Sequence, residues 1–131
     1  MSTPVTMVDQ KGGVKVALAA LDTGGGVLSL ANPEGVDLII PTGGLVIDVT
    51  TAATAACTLN AGIAAAATTP SDTLIDGVDV NTAAGVFDNG DDAGTNGGPD
   101  KWGSDEFLTI SVATGAAAGL AGYAYIRYIR E

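Results

Sequence analysis

The residues able to do chemistry in this 131-residue chain are few, and most are carboxylates. Fifteen Asp and Glu stand against five Lys and Arg, with one cysteine and no histidine. The densest run is Asp88-Asn89-Gly90-Asp91-Asp92, with Asn96 and Asp100 close behind. Oxygen donors at that density suit a hard cation such as Ca²⁺. The EF-hand order is not met, because Gly90 occupies the third position and no Glu closes the loop at the required spacing. The expectation is therefore a solvated acidic loop that holds neither metal nor cofactor. Asp76 with Asp79, and Asp105 with Glu106, offer the paired acids that a glycosidase sets in a cleft. Any acidic chain offers such pairs, and Trp102 is the single indole available to stack on a sugar.

Nucleophiles fare no better. Cys57 stands alone, so no disulfide framework exists. Without an imidazole beside it, it reads as a small apolar residue of an Ala/Thr strand rather than a thiolate. Gly24-Gly25-Gly26 lacks the Lys-Ser/Thr of a phosphate-binding loop and joins two extended segments. A chain this poor in proton shuttles is not expected to be an enzyme.

A second group points to contact rather than reaction. Tyr123, Tyr125, Arg127, Tyr128 and Arg130 gather all three tyrosines and two of the five bases in one short segment. Tyr and Arg anchor protein interfaces. An edge strand with ordinary cross-strand pairs is the plainer reading of the same residues. Lys11 and Lys15 join them as candidate interface residues. Asp88, Asn89, Asp91, Asp92, Asn96, Asp100 and Trp102 are the candidate exposed loop, with Trp102 anchoring its end.

The elements that must position these groups read as strands. Residues 14–21, 27–30, 36–40 and 45–51 are short extended segments separated by turns at 22–26, 31–35 and 41–44. Leu45, Ile47 and Val49 alternate with Val46, Asp48 and Thr50. The Ala/Thr tract 52–69 is helical by propensity, but its threonines, Gly62 and the alternation of Leu59, Ala61 and Ile63 favour strand. Ser71 or Asp72 is placed to cap a short helical turn through Leu74 and Ile75. Short pieces follow at 76–80 and 85–87, then the 88–104 loop. The clearest pair of strands is 106–113 and 120–129, joined by 114–119. In the latter, Ala121, Tyr123, Tyr125 and Arg127 share one face, with Leu120, Ala124, Ile126 and Tyr128 on the other. This spacing predicts an all-β chain: a flexible arm at 1–13, then a single domain at 14–131 folded as an antiparallel β-sandwich or jelly-roll-like barrel.

Composition adds two expectations. Apolar residues reach 47% while aromatics make up 5%, so the core is built largely from small side chains and gains less per residue on burial. Pairing with other subunits is a common remedy. The net charge of −10 disfavours nucleic acid and anionic membranes as direct partners. The start shows no basic segment leading into an apolar one, and no apolar run reaches the ~20 residues of a membrane helix. Synthesis and use in a cytoplasm are expected.

The stretches 48–53, 60–64, 72–80 and 84–89, with 108–111 and 119–126, resemble the capsid decoration or cement proteins of tailed bacteriophages and similar modules on head fibres. The resemblance covers residues 45–131. It implies a β-sandwich or jelly-roll-like subunit, trimeric, seated on the outside of an expanded head and bound to the major capsid protein. It also implies a stabilising role in the virion after synthesis in the host bacterium. A receptor- or glycan-binding module of a head or tail fibre is the alternative, with the 88–104 loop as its contact.

Overall fold

Alternation is what sets the strands. Leu45, Ile47 and Val49 are buried, while Val46 and Asp48 between them are half-exposed. In the computed structural model, which describes residues 11–96 and 98–131, ten strands form and no helix does among those residues. They are β1 (Lys11–Ala17), β2 (Leu28–Ala31), β3 (Leu38–Ile40), β4 (Leu45–Thr51), β5 (Cys57–Ala64), β6 (Ile75–Asp79), β7 (Gly85–Asp88), β8 (Asp100–Trp102), β9 (Phe107–Gly115) and β10 (Ala121–Arg130).

Two antiparallel sheets pack face to face as a β-sandwich. The second sheet runs β2-β9-β5-β6, and the first is organised around β10. On one side β10 carries β1 in an unbroken register from Lys11↔Ile129 to Ala17↔Tyr123. On its other side β4 pairs with its first half and β3 with its last two residues. The β3–β4 line breaks at residues 41–44, where Pro41 has no donor for a ladder. There the Gly44 N–H donates to the Pro41 carbonyl at 2.8 Å, and Gly43 takes a left-handed φ of 77°.

β7 pairs with β4 and β8 with β3, so a second interrupted line lies alongside the first. Residues 92–96, between β7 and β8, leave this sheet and reach the other. Ala93 bridges Ile75, Gly94 N–H donates to Leu74 O at 2.9 Å, and Thr95 N–H donates to Asp72 O at 3.0 Å. The excursion stitches the β7/β8 edge of one sheet to the β6 edge of the other.

The core is continuous between the sheets. Leu38, Ile40, Leu45, Ile47 and Ile126 of the first sheet and Leu59, Ile75, Leu108 and Ile110 of the second are all fully buried. Trp102 is buried with them, its ring edge-to-face with Tyr128 at 6.4 Å and its indole N–H donating to Glu106 O at 3.0 Å. Truncating such a ring to alanine costs about 3–5 kcal/mol.

Several expectations change. Lys11, Gly12 and Gly13, assigned to a flexible arm, are the first residues of β1, because their partners on β10 extend that far. Residues 1–10 of that arm lie outside the described residues. The helical turn at 71–75 does not form: the Thr73 hydroxyl accepts the Ile63 N–H at 3.0 Å, and the chain enters β6 extended. The 88–104 segment is no free loop, since it contains β8 and is bound at both sheets. The strand at 120–129 is central rather than an edge, and β9, which precedes it, lies in the opposite sheet.

Candidate functional site

β10 presents two different faces. Ala124, Ile126 and Tyr128 point into the core and are buried, whereas Tyr123, Tyr125 and Arg127 are exposed. The registers extend the outward set across four strands. One row runs Lys15 (β1), Tyr125 (β10), Val46 (β4), Asp88 (β7), and the next runs Ala17, Tyr123, Asp48, Val86. Tyr123 is 39% exposed, Tyr125 37% and Val86 66%, more than the other large apolar side chains in these strands.

The Lys15 ammonium lies over the Tyr123 ring at 4.3 Å and reaches toward that of Tyr125 at 5.4 Å. This cation–π placement holds the lysine against the aromatic surface. Gly13 has no side chain to fill the next position. A shallow groove of about 540 Å³ opens there, lined by Gly13, Lys15, Val46, Tyr125 and Arg127. The Arg127 guanidinium donates to the Gly43 carbonyl at 3.2 Å, which fixes it at the β3–β4 break.

Of the sequence-assigned interface residues, Lys15, Tyr123, Tyr125 and Arg127 thus share one open face. Tyr128 does not belong there. Only 3% exposed, it donates its hydroxyl to Glu34 Oε2 at 2.6 Å from the inner face. Arg130 is also taken up locally, by Glu34 at 3.1 Å and by the Lys11 carbonyl at 2.7 Å. The hydrogen bond from Arg130, then that from Tyr128, holds the Glu34 carboxyl below its usual range. Burial, followed by the Glu34 hydrogen bond, pushes the Tyr128 phenol up to about 12. Glu34, Tyr128 and Arg130 lock the end of the first sheet together.

The acidic segment is likewise engaged with itself. Asn89, expected in an exposed loop, is fully buried because it fills the β3–β4 break. Its amide donates to Pro41 O at 3.0 Å and Gly98 O at 2.7 Å, and its carbonyl oxygen accepts the Leu45 N–H at 3.0 Å. Trp102, from the same set, is buried as well. Asp88 accepts the Gly90 and Asp91 N–H groups at 2.6 and 2.9 Å, and Asp100 accepts the Asn96 amide at 2.8 Å. Asp91 and Asn96 are exposed and Asp92 half-exposed. Among the described residues no three His, Cys, Asp or Glu converge as metal ligands. Cys57 is buried, and desolvation, then the charges of Asp22 and Asp79, raise its thiol pKa, which disfavours a thiolate.

The outer face of the second sheet is closed in part, at Thr109, Ser111 and Gly62. Thr109 and Ser111 point outward on β9, yet both are buried beneath the chain's own loops. Thr109 donates to Thr69 O at 2.9 Å, Ser29 donates to Ala67 O at 2.8 Å, and Ser111 accepts the Gly25 N–H at 2.8 Å. A Cβ on Gly24 or Gly25 would run into the carbonyls of Thr68 and Ala67. The glycine tract is there for close backbone approach.

Sequence reasoning missed Val46, Asp48, Val86 and Asp88 as members of the open face. The alternation of residues 45–51 carried the signal for Val46 and Asp48, whereas the two on β7 needed the register. No protein-family model, no curated protein and no solved structure matches the chain.

Proposed function

We propose that the chain is a structural virion protein of the decoration type. It attaches to the outer surface of a tailed-phage capsid through the major capsid protein and stabilises the expanded head. In this reading it is made in the bacterial cytoplasm and seated as three copies around a local threefold position. The observation that carries the reading is the open face of the first sheet, where two tyrosines, Val86 and Lys15 lie exposed beside a half-exposed Val46. Exposed tyrosines anchor protein contacts, and three weak contacts held together give tight attachment. The resemblance of residues 45–131 to decoration proteins supplies the kind of partner.

The rival reading, a glycan- or receptor-binding fibre module, was expected to use the 88–104 segment. That segment spends Asn89 and Trp102 inside the fold and its backbone on the second sheet, which leaves less of it for a ligand. The test is co-sedimentation of the purified protein with expanded heads and with procapsids of the phage that encodes it. Saturable binding to expanded heads, with none to procapsids, is expected. Failure to bind either form overturns the proposal.

A further inference from the structure

The open face of the first sheet is self-complementary about a twofold axis, and we propose that it pairs with the same face of a second copy. The argument rests on the order of residues within its two rows. Lys15, Tyr125, Val46 and Asp88 follow one another across β1, β10, β4 and β7, as do Ala17, Tyr123, Asp48 and Val86. The base lies at one end of its row and a carboxylate at the other, with the apolar groups between.

Let a twofold axis lie parallel to the strands, midway between β10 and β4, in the plane separating two stacked copies. It sets β1 over the partner copy's β7 and β10 over its β4 without shifting the rows. Lys15 then faces Asp88 of the other copy, Tyr125 faces Val46, the Tyr123 hydroxyl faces Asp48, and Ala17 faces Val86. Every pair occurs twice. The match is charge to charge, phenol to carboxylate and apolar to apolar, as an isologous contact requires.

Within one chain, Lys15 and Asp88 stand three strand spacings apart, about 14 Å. They cannot pair internally, so this charge pairing is available only between copies. Four strands by two to three rows cover roughly 400 Å² per copy, or ~800 Å² in all, below the ~1,200 Å² of stable complexes. The association is therefore reversible and appears at high protein concentration. It occupies the same face that the proposed function gives to the capsid protein, so the two contacts exclude each other: the pair is a form of the free protein and opens when the subunit docks.

The experiment is sedimentation equilibrium of the wild-type protein from about 10 µM to 1 mM, beside charge variants. Lys15→Glu sets like charges opposite each other and should weaken association at least tenfold. Lys15→Glu combined with Asp88→Lys should restore it. Because Asp88 also caps a turn, Val86→Glu is the second probe: its exposed side chain should leave thermal unfolding unchanged and yet abolish association. The mass of the variants gives the basic unit, one chain or three. The wild type is expected at twice that mass for a single chain and at twice or more for a trimer, which carries three such faces. Failure of the threefold reading therefore leaves this result interpretable. Wild-type mass that does not rise with concentration, or a rise that Lys15→Glu and Val86→Glu leave unchanged, overturns the proposal. A correctly folded double variant that does not re-associate also overturns it.

Discussion

The two outer faces of the sandwich are built on the same strand geometry and end in opposite states. On the second sheet the chain's own loops meet the outward groups Ser29, Thr109, Ser111 and the bare position of Gly62, while farther along Thr114 stays exposed and Thr58 half-exposed. On the first sheet they are Tyr123, Tyr125, Val46, Val86 and Lys15, and among the described residues no loop covers the two tyrosines and Val86. Short hydroxyls and glycines let backbone come close and bond; long aromatic and aliphatic groups hold backbone off. Short outward groups thus permit the chain's own loops to close over a face, and long ones leave it open.

The largest effect should come from breaking the closed face. Gly25 has a φ of 66°, and a side chain there meets the Ala67 carbonyl. Gly25→Ala is expected to cost about 3 kcal/mol from left-handed strain and displaced loops. The check is urea denaturation, where the midpoint falls while the slope is kept. Ser111→Ala is milder, at about 1–2 kcal/mol, because it leaves the Gly25 N–H without its acceptor. Retention of the wild-type midpoint would mean that water replaces the hydroxyl.

Between the faces, the Glu34–Tyr128–Arg130 lock predicts two pH limits. The folded Tyr128 phenol titrates at about 12, above its ordinary value of 10. Its contribution is whole below pH 10 and is lost as pH climbs through 12. Glu34 is depressed below its ordinary value of 4.5, so its contribution is present above that value and fades as pH drops past it. Tyr128→Phe should flatten the alkaline arm of a plot of melting temperature against pH and make the acid arm shallower without abolishing it, since Glu34 keeps its hydrogen bond from Arg130. The smallest effect belongs to the open face. Tyr125→Ser should change stability by less than about 1 kcal/mol, since its ring is already partly in water. A loss comparable to that of Gly25→Ala would mean the face is structural rather than reserved for contact.

Where a period-two pattern meets a sharp solvent boundary, the sequence was legible. Residues 45–51 form β4 with the bounds expected, and the division of residues 120–128 into an inner and an outer set matches their burial. The same division had already placed Tyr128 inside, so grouping it with the interface residues overrode a signal that was present. β8 was not legible, because three residues beside a Gly/Asp-rich run show no period and owe their conformation to β3. Asn89 gave no sign of burial either, since its partners Pro41, Leu45 and Gly98 become neighbours only through the register. The open face required two kinds of information: alternation names the outward residues, but only pairing shows that Lys15 and Asp88 end the same row.

The central place of β10 also has a consequence for biosynthesis. It is the partner of β1, β3 and β4, and nine strands precede it in chain order. While the polypeptide is still emerging from the ribosome, β1 has nothing to pair with and half of the sticky surface does not exist. Nascent chains crowded on one messenger therefore cannot adhere through this face before β10 has been made. Any association through it waits on the order in which the strands are made.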